Sequence, residues 1–524
     1  MERDLSAATN RLLAGTVTKY LLLAVNVGTG VFLMPFTVRH LGQSEYGLWM
    51  LVASMTYYFQ LLDMGYGNGI VRHIVAADRQ RDILTVNRIV STFFCVYAVV
   101  GIAACFVSAA VIAVVVPRFP GLTPGQVRTA QAILAIISVR LAVGFPMTVF
   151  GAVTNARQGF VWNNAVAIAT VVASACITWV VLEEGYGLIP LVAATTGVNV
   201  LGYVGYAVTA RRVFPPLTIR PSLFSRAQWR DVASFSVYLF IIQIAGQISF
   251  NIDNVVVGAF VGTAAVAVYT VALRLGEYQR RVCDQFSGML FPVVVRFGEE
   301  GNLYALRQAL IEGTRVAVTL VAAVSACLIG FSGPLIRHWM GPAFEGSVVP
   351  FVLLAVAGVI VVSQAAVCNV LIAVGSHRLL AAVWLAEAAV NFGLSLLLVR
   401  TMGLAGVALG TLVPLVFGHL FVLLPRACRA VGVDVWACIR DTTRPALVGA
   451  AAATLVCLVI REAMPAATTR VVLAQTILTT AAYFGAVAAL GLTPDVRARY
   501  LDQARALYAW AAIRPSRPRT GVET

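Results

Sequence analysis

Apolar residues in this chain gather into runs of about twenty, separated by short polar connections. Fourteen such runs can be drawn: 16–36, 46–68, 89–116, 129–151, 163–182, 187–210, 232–256, 264–294, 314–337, 348–374, 379–399, 403–425, 444–463 and 471–491. A helix rises about 1.5 Å per residue, so about twenty residues cross a hydrocarbon core of roughly 30 Å. The pattern predicts an all-α polytopic membrane protein with fourteen transmembrane helices. The eighth run is the least regular, because Arg274, Glu277, Arg280, Arg281 and Asp284 interrupt it.

Composition carries the same message over the whole length. Of 524 residues 60% are hydrophobic and only 12% charged, far from the balance of a soluble domain. The segment before the first run is polar, and that run is too long for a signal-peptide core and lacks a clear cleavage site. The net charge of +15 is almost all arginine, since Lys19 is the only lysine. In a soluble chain such a charge would point to nucleic acid; in a membrane protein it marks the cytoplasmic loops. Twenty-eight of the 38 basic residues fall on the side that holds both ends, and seven fall in the opposite loops. Both termini are therefore expected in the cytoplasm, with the connection 211–230 and the tail 496–524 as basic cytoplasmic segments. The longest external connection, 117–128, is about a dozen residues, so no soluble catalytic domain is expected. The nine cysteines form no C-x-x-C and the five histidines no H-x-x-x-H, so neither a disulfide nor a metal site is expected.

An internal repeat organises the runs. VGTAAVAVYTVAL (261–273) aligns with LGQSEYGLWMLVA (41–53) at an offset of 220, and GYGLIPLVAATTG (185–197) with TMGLAGVALGTLV (401–413) at 216. Similar offsets in the same order predict two parallel six-helix lobes, 1–215 and 216–430, followed by two extra C-terminal helices within 431–495. Such lobes would be related by an axis along the membrane normal, as in transporters with a site between halves.

Charges inside the runs are the candidates for function, because a charge in lipid costs several kcal/mol. Arg140 lies mid-run with no acid nearby in sequence. Lys19 is close enough to a helix start to snorkel. Arg274 and Glu277 are spaced i, i+3 and can pair with each other. Glu387 and Asn391 share a helix face, and Asp253 is flanked by Asn251 and Asn254. Asp63 precedes Gly65, Gly67 and Gly69 in LLDMGYGNGIVR (61–72). With no strand before them these glycines are no nucleotide loop; they suit a helix end where backbones meet closely, with Arg72 at the cytoplasmic boundary. Asp63 is either a packing carboxylate or a group facing a water-filled cavity. Proline at 146 and 414 is expected to break helices. No paired carboxylates and no Ser/His/Asp set are present, so no enzyme is read. Several cations with few anions instead suit an anionic substrate such as a diphosphate.

HLGQSEYGLWMLVASMTYYFQLLDMGYGNGIVR (40–72) resembles the first hairpin of bacterial polysaccharide transporters, the O-antigen (Wzx-type) lipid-linked oligosaccharide flippases. These belong to the multidrug/oligosaccharidyl-lipid/polysaccharide exporter superfamily. AEAAVNFGLSLLLVRTMGLAGVALGTLVP (386–414), AVAVYTVALRL (265–275) and HWMGPAF (338–344) resemble further segments of the same family. The resemblance implies two lobes in a V-shaped, MATE-like arrangement in the bacterial inner membrane. It implies export of an undecaprenyl-diphosphate-linked oligosaccharide to the periplasmic leaflet for O-antigen, capsule or exopolysaccharide. It implies as partners the lipid-linked substrate, membrane lipids, and polymerase and chain-length components of the same pathway. Tyr269, Ala272, Arg274 and Leu275 match a Y-x-x-A-x-R-L pattern whose arginine lines a cationic cavity in the peptidoglycan-precursor flippases. Arg140, Arg274 and Lys19 are thus the candidate cavity cations, and Asp63, Asp253 and Glu387 the candidates for coupling or gating. No cofactor is implied beyond a coupling proton or sodium ion, and membrane potential alone is an alternative. The rival readings are a multidrug-type exporter of the same superfamily and a membrane glycan polymerase or ligase.

Overall fold

The computed structural model describes residues 2–63, 66–232, 252–463, 468–500, 502 and 505. Among the described residues every regular element is helical. In chain order these include α1 (Glu2–Tyr57), α2 (Tyr66–Arg79), α3 (Ile83–Ala110), α4 (Pro124–Ala156), α5 (Phe160–Glu183) and α6 (Leu188–Val213). A short helix, α7, covers 252–260. There follow α8 (Thr263–Glu299), α9 (Leu303–Gly330), α10 (Ser332–Met340), α11 (Val348–Ser363), α12 (Ala365–Ala373), α13 (His377–Val416), α14 (Leu424–Ala430), α15 (Val435–Ala463) and α16 (Thr469–Ala486).

Ten helices among the described residues are long and apolar enough to cross a membrane. Fourteen runs become ten for physical reasons. Ala14–Tyr57 and His377–Ala430 each hold two of the runs, joined through Gly42 (φ 79°) and Gly403 (φ 56°), where the chain reverses without leaving helical hydrogen bonding for long. The eighth run lies on α8, whose charges keep it outside the apolar class. Most of the seventh, 232–256, lies outside the described residues. Gly42 and Gly262, 220 positions apart, both take positive φ between two helices (79° and 110°).

The second run also differs from its expected form. α1 ends at Tyr57, a 3-10 turn covers Tyr58–Asp63, and helix resumes at Tyr66 and continues past Arg72 to Arg79. Arg72 is therefore inside a helix and not at its end. At Gly67 a Cβ would meet nothing within 4 Å, so close backbone approach is not its role.

Helix starts follow local chemistry. Asp82 caps α3, accepting from the Thr85 amide at 2.9 Å. Thr123 and Gln126 form a capping box on α4, with Pro124 in the first turn. Pro146 does not break α4. It leaves the Ala142 carbonyl without its intrahelical donor, and that carbonyl lies where a Cβ on Gly101 of α3 would come within 2.6 Å, so a glycine there admits it.

By packing, the chain forms two units. One comprises Met1–Tyr278, Trp339–Ala357 and His377–Gly418; the other Gln279–His338, Gly358–Ser376 and His419–Thr524. In the first, α2, α3, α4 and α6 share a core crossed by a run of rings: Tyr66–Phe93 (5.4 Å), Phe93–Tyr97 (6.4 Å) and Tyr97–Phe145 (6.3 Å). The connection after α6 is pinned to α3. Asn87 donates to the Pro216 carbonyl (3.0 Å) and accepts from the Thr218 amide (3.1 Å), and Thr92 accepts from the Ser225 amide (2.9 Å). In the second unit, α9, α15 and α16 close around Tyr483, which donates to the Thr319 carbonyl (2.9 Å) and lies over Gly449. The helix at 494–500 docks on α9 through Glu312, which accepts from Tyr500 (2.8 Å) and pairs with Arg499 (3.3 Å).

The two halves of α13 meet through Gly406 and Gly410, where a Cβ would lie 2.3 Å from the Leu398 carbonyl oxygen and 2.3 Å from the Ser395 hydroxyl oxygen. Gly393 on the same helix has nothing within 4 Å. Gly406→Ala should therefore destabilise by about 1–3 kcal/mol, while Gly393→Ala should hold or gain up to about 1 kcal/mol from helix propensity. Thermal midpoints of the two detergent-solubilised variants against wild type check this, and equal midpoints for the two would contradict it.

Candidate functional site

Asp253 on α7 is 1% exposed. Its Oδ2 accepts from the Tyr269 hydroxyl of α8 (2.7 Å) and the Thr411 hydroxyl of α13 (2.9 Å). Its Oδ1 is buried with no hydrogen-bond partner. No arginine, lysine or histidine among the described residues forms an ion pair with it. The Tyr58 hydroxyl, also buried and unbonded, acts electrostatically on the same carboxyl. Burial of a lone carboxylate is costly, so this geometry asks for a proton or a small cation.

The seam extends from Asp253 in two directions. Thr411 accepts from the Asn391 amide (3.3 Å), and Ser395 donates to the Asn391 side-chain oxygen (3.0 Å) and more weakly to the Val407 carbonyl (3.4 Å). On the other side Asn254 donates to Ser54 of α1 (2.9 Å) and accepts from Thr270 (3.5 Å). Glu387, Asn391 and Ser395 follow each other at i, i+4, i+8 and are all buried, so one face of α13 is polar inside an apolar helix. Glu387 is 7% exposed and packs so closely on Gly418 that a Cβ there would lie 1.9 Å from its oxygen. The unbonded Asp253 oxygen is the one carboxylate atom of this relay left without a protein donor.

The candidate cations are housed differently. Arg274 donates to Glu277 at 2.7 Å, so the two charges offset each other within α8. Arg140 on α4 is half-buried, acts electrostatically on the Tyr203 hydroxyl of α6, and has no acidic partner among the described residues. Lys19 is exposed on α1. Asp63 closes the 3-10 turn, and its side chain lies outside the described residues. The structure thus brings Asp253 together with the α13 face of Glu387 and Asn391. It leaves Arg140 apart from that seam.

Two partners of Asp253 were not read from the sequence. Tyr269 was singled out only through the motif that holds Arg274, and Thr411 not at all. Both are ordinary apolar-run residues until helix packing faces them inward. The polar neighbours of Asp253 and the shared face of Glu387 and Asn391 were the available signals.

The chain is 22% identical over 363 residues to "Uncharacterized membrane protein EpsK" of Bacillus subtilis (strain 168), covering 67% of this chain and 69% of that one. Its fold is similar to that of the lipid II flippase MurJ in an inward closed conformation, with a TM-score of 0.71 at 13% identity over 90% of this chain and 97% of the other. It is also similar to an inward-facing multidrug resistance MATE family transporter of the MOP superfamily, with a TM-score of 0.63 at 17% identity over 78% and 95%. A family profile described as polysaccharide biosynthesis protein matches residues 12–297, which is more than half of the chain and carries α1 through most of α8. The chain is a multi-pass membrane protein of the polysaccharide biosynthesis protein family, with a MATE-like fold.

Proposed function

We propose that this protein moves an undecaprenyl-diphosphate-linked oligosaccharide from the cytoplasmic to the periplasmic leaflet of the bacterial inner membrane by alternating access, and that a cation at Asp253 couples the cycle. The reading is supported by family membership and by the fold shared with a lipid II flippase. The observation that carries the coupling is the buried Asp253 oxygen without a partner, in a seam joining α7, α8 and α13. In this reading both termini are cytoplasmic, residues 1–215 and 216–430 form the two moving lobes, and polymerase and chain-length components receive the product outside.

The division of labour follows from charge. Arg140, with no acidic partner among the described residues, attracts the diphosphate. Arg274 joins it when Glu277 is released or protonated, because the present pair leaves little net field. Lys19, exposed on α1 close to where its apolar span begins at Ala14, holds the lipid phosphate level with the cytoplasmic interface. Glu387, adjoining Asn391 on the seam, and Asp63, in the broken second run, take gating roles. The bound cation supplies only charge to Asp253; Tyr269 and Thr411 orient the carboxylate and hold it ready. A multidrug-type exporter would favour an acidic cavity for cationic drugs, and Arg140 works against that.

In a strain lacking the protein, complete undecaprenyl-linked repeat units should accumulate on the cytoplasmic face, as read by mass spectrometry with a membrane-impermeant label. Units stranded outside would place the protein at a later, polymerising step. Arg140→Ala and Arg274→Ala should each lower surface glycan at normal protein level, and unchanged output in both would defeat the cationic-cavity part of the proposal.

Replacing choline chloride with sodium chloride should raise the thermal midpoint of the purified wild type by about 2–5 °C if the seam binds sodium. If the coupling ion is a proton, the midpoint should instead respond to pH. Asp253→Asn should abolish either response and cut glycan output by about tenfold or more. A midpoint indifferent to both ions, or an Asp253→Asn variant that keeps full output, would falsify the coupling role.

A further inference from the structure

A second polar cavity lies within the N-terminal helices and shares no lining residue with the Asp253 seam. It has a volume of about 530 Å³ and is walled by α1, α2, α4, α5 and α6. That size lies within the roughly 300–1,000 Å³ of pockets that enclose small ligands. Its polar groups are Thr148, Asn155, Asn163, Asn164, Tyr203 and Tyr206. Among the described residues no charged side chain lines it. The described lining is amide, hydroxyl and phenol, and a lipid tail would strip water from the amides without replacing it.

The amides are tied to the backbone, to each other and to α1, which fixes the cavity wall. Asn163 gives its Nδ2 protons to the Gly151 carbonyl (2.9 Å) and the Asn155 side-chain oxygen (2.8 Å). Its own Oδ1 is buried and accepts from nothing. Asn164 is held by Thr18 (3.0 Å) across to α1. Tyr203 is set in place against Gly144, where a Cβ would come within 2.8 Å of its hydroxyl. Thr148, Asn155 and two phenol rings, held by this network, form a surface for hydroxyls on one side and C–H faces on the other. Gly67 completes the wall. A Cβ there would meet no atom within 4 Å, so the glycine preserves the opening and relieves no clash.

We propose that this cavity is a saccharide subsite, holding neutral sugar units of the lipid-linked substrate within the N-terminal helices while the diphosphate is held elsewhere. The inference rests on the flippase reading above. It sits where α4 ends and α5 begins, which in the proposed orientation is the cytoplasmic side, so the glycan would load there before the lobes exchange access.

The test measures binding of two probes to the full-length protein in lipid nanodiscs: undecaprenyl diphosphate, and the same lipid carrying one N-acetylglucosamine. Wild type should prefer the glycosylated lipid by about fivefold or more, the worth of one or two hydrogen bonds. Asn163→Leu, which removes the amide, and Gly67→Leu, which fills the opening, should each bring the ratio near one without changing affinity for the bare lipid. Asn163→Gln should retain part of the preference. Absence of a preference in wild type, or a preference that both leucine variants keep, overturns the subsite and leaves the flippase reading standing. Failure of wild type to bind either probe overturns both.

Discussion

A lipid environment offers no hydrogen bonds, so each backbone and side-chain polar group in these helices must find its partner within the protein. Much of the architecture answers that constraint. The two hairpins at Gly42 and Gly403 reverse direction through single residues of positive φ, which keeps unpaired backbone to a minimum. The carbonyl freed by Pro146 is accommodated at Gly101. Outside the lipid the connection after α6 is also fixed, because Asn87, Ser91 and Thr92 of α3 bond its backbone over several residues. Glycine appears where backbones must touch, as at Gly406 and Gly410, and side chains fill the remainder with rings and branched residues.

Under the same constraint, charge is housed in three distinct ways. Arg274 and Glu277 neutralise each other one helical turn apart, which is a local solution available from spacing alone. Asp253 is held by hydroxyls of two other helices, a solution that leaves its charge uncompensated and one oxygen bare. Arg140 is half-buried with no acid among the described residues. The first arrangement stabilises a helix. The second and third leave electrostatic work undone, and a transporter needs such groups, because an ion or a charged substrate then changes the energy of a conformation by arriving. The cavity lined by amides and phenols adds a fourth environment, polar through neutral groups.

Sequence alone determined a large part of this. Runs of about twenty apolar residues specify membrane-spanning helices because length and hydropathy are local properties. Gly42 and Gly262, which the sequence sets 220 positions apart, both take positive φ. The i, i+3 pairing of Arg274 with Glu277, and the shared face of Glu387 and Asn391, follow from helical periodicity. Tertiary structure alone decided the rest. Asp253 and Thr411 are 158 positions apart and Asn163 and Tyr203 lie on different helices, so their meeting depends on how helices pack and not on any window of sequence. The same holds for the glycines of LLDMGYGNGIVR. Their spacing promised a close contact, but whether Gly67 faces a neighbour or an open cavity is settled only when α4, α5 and α6 stand around it.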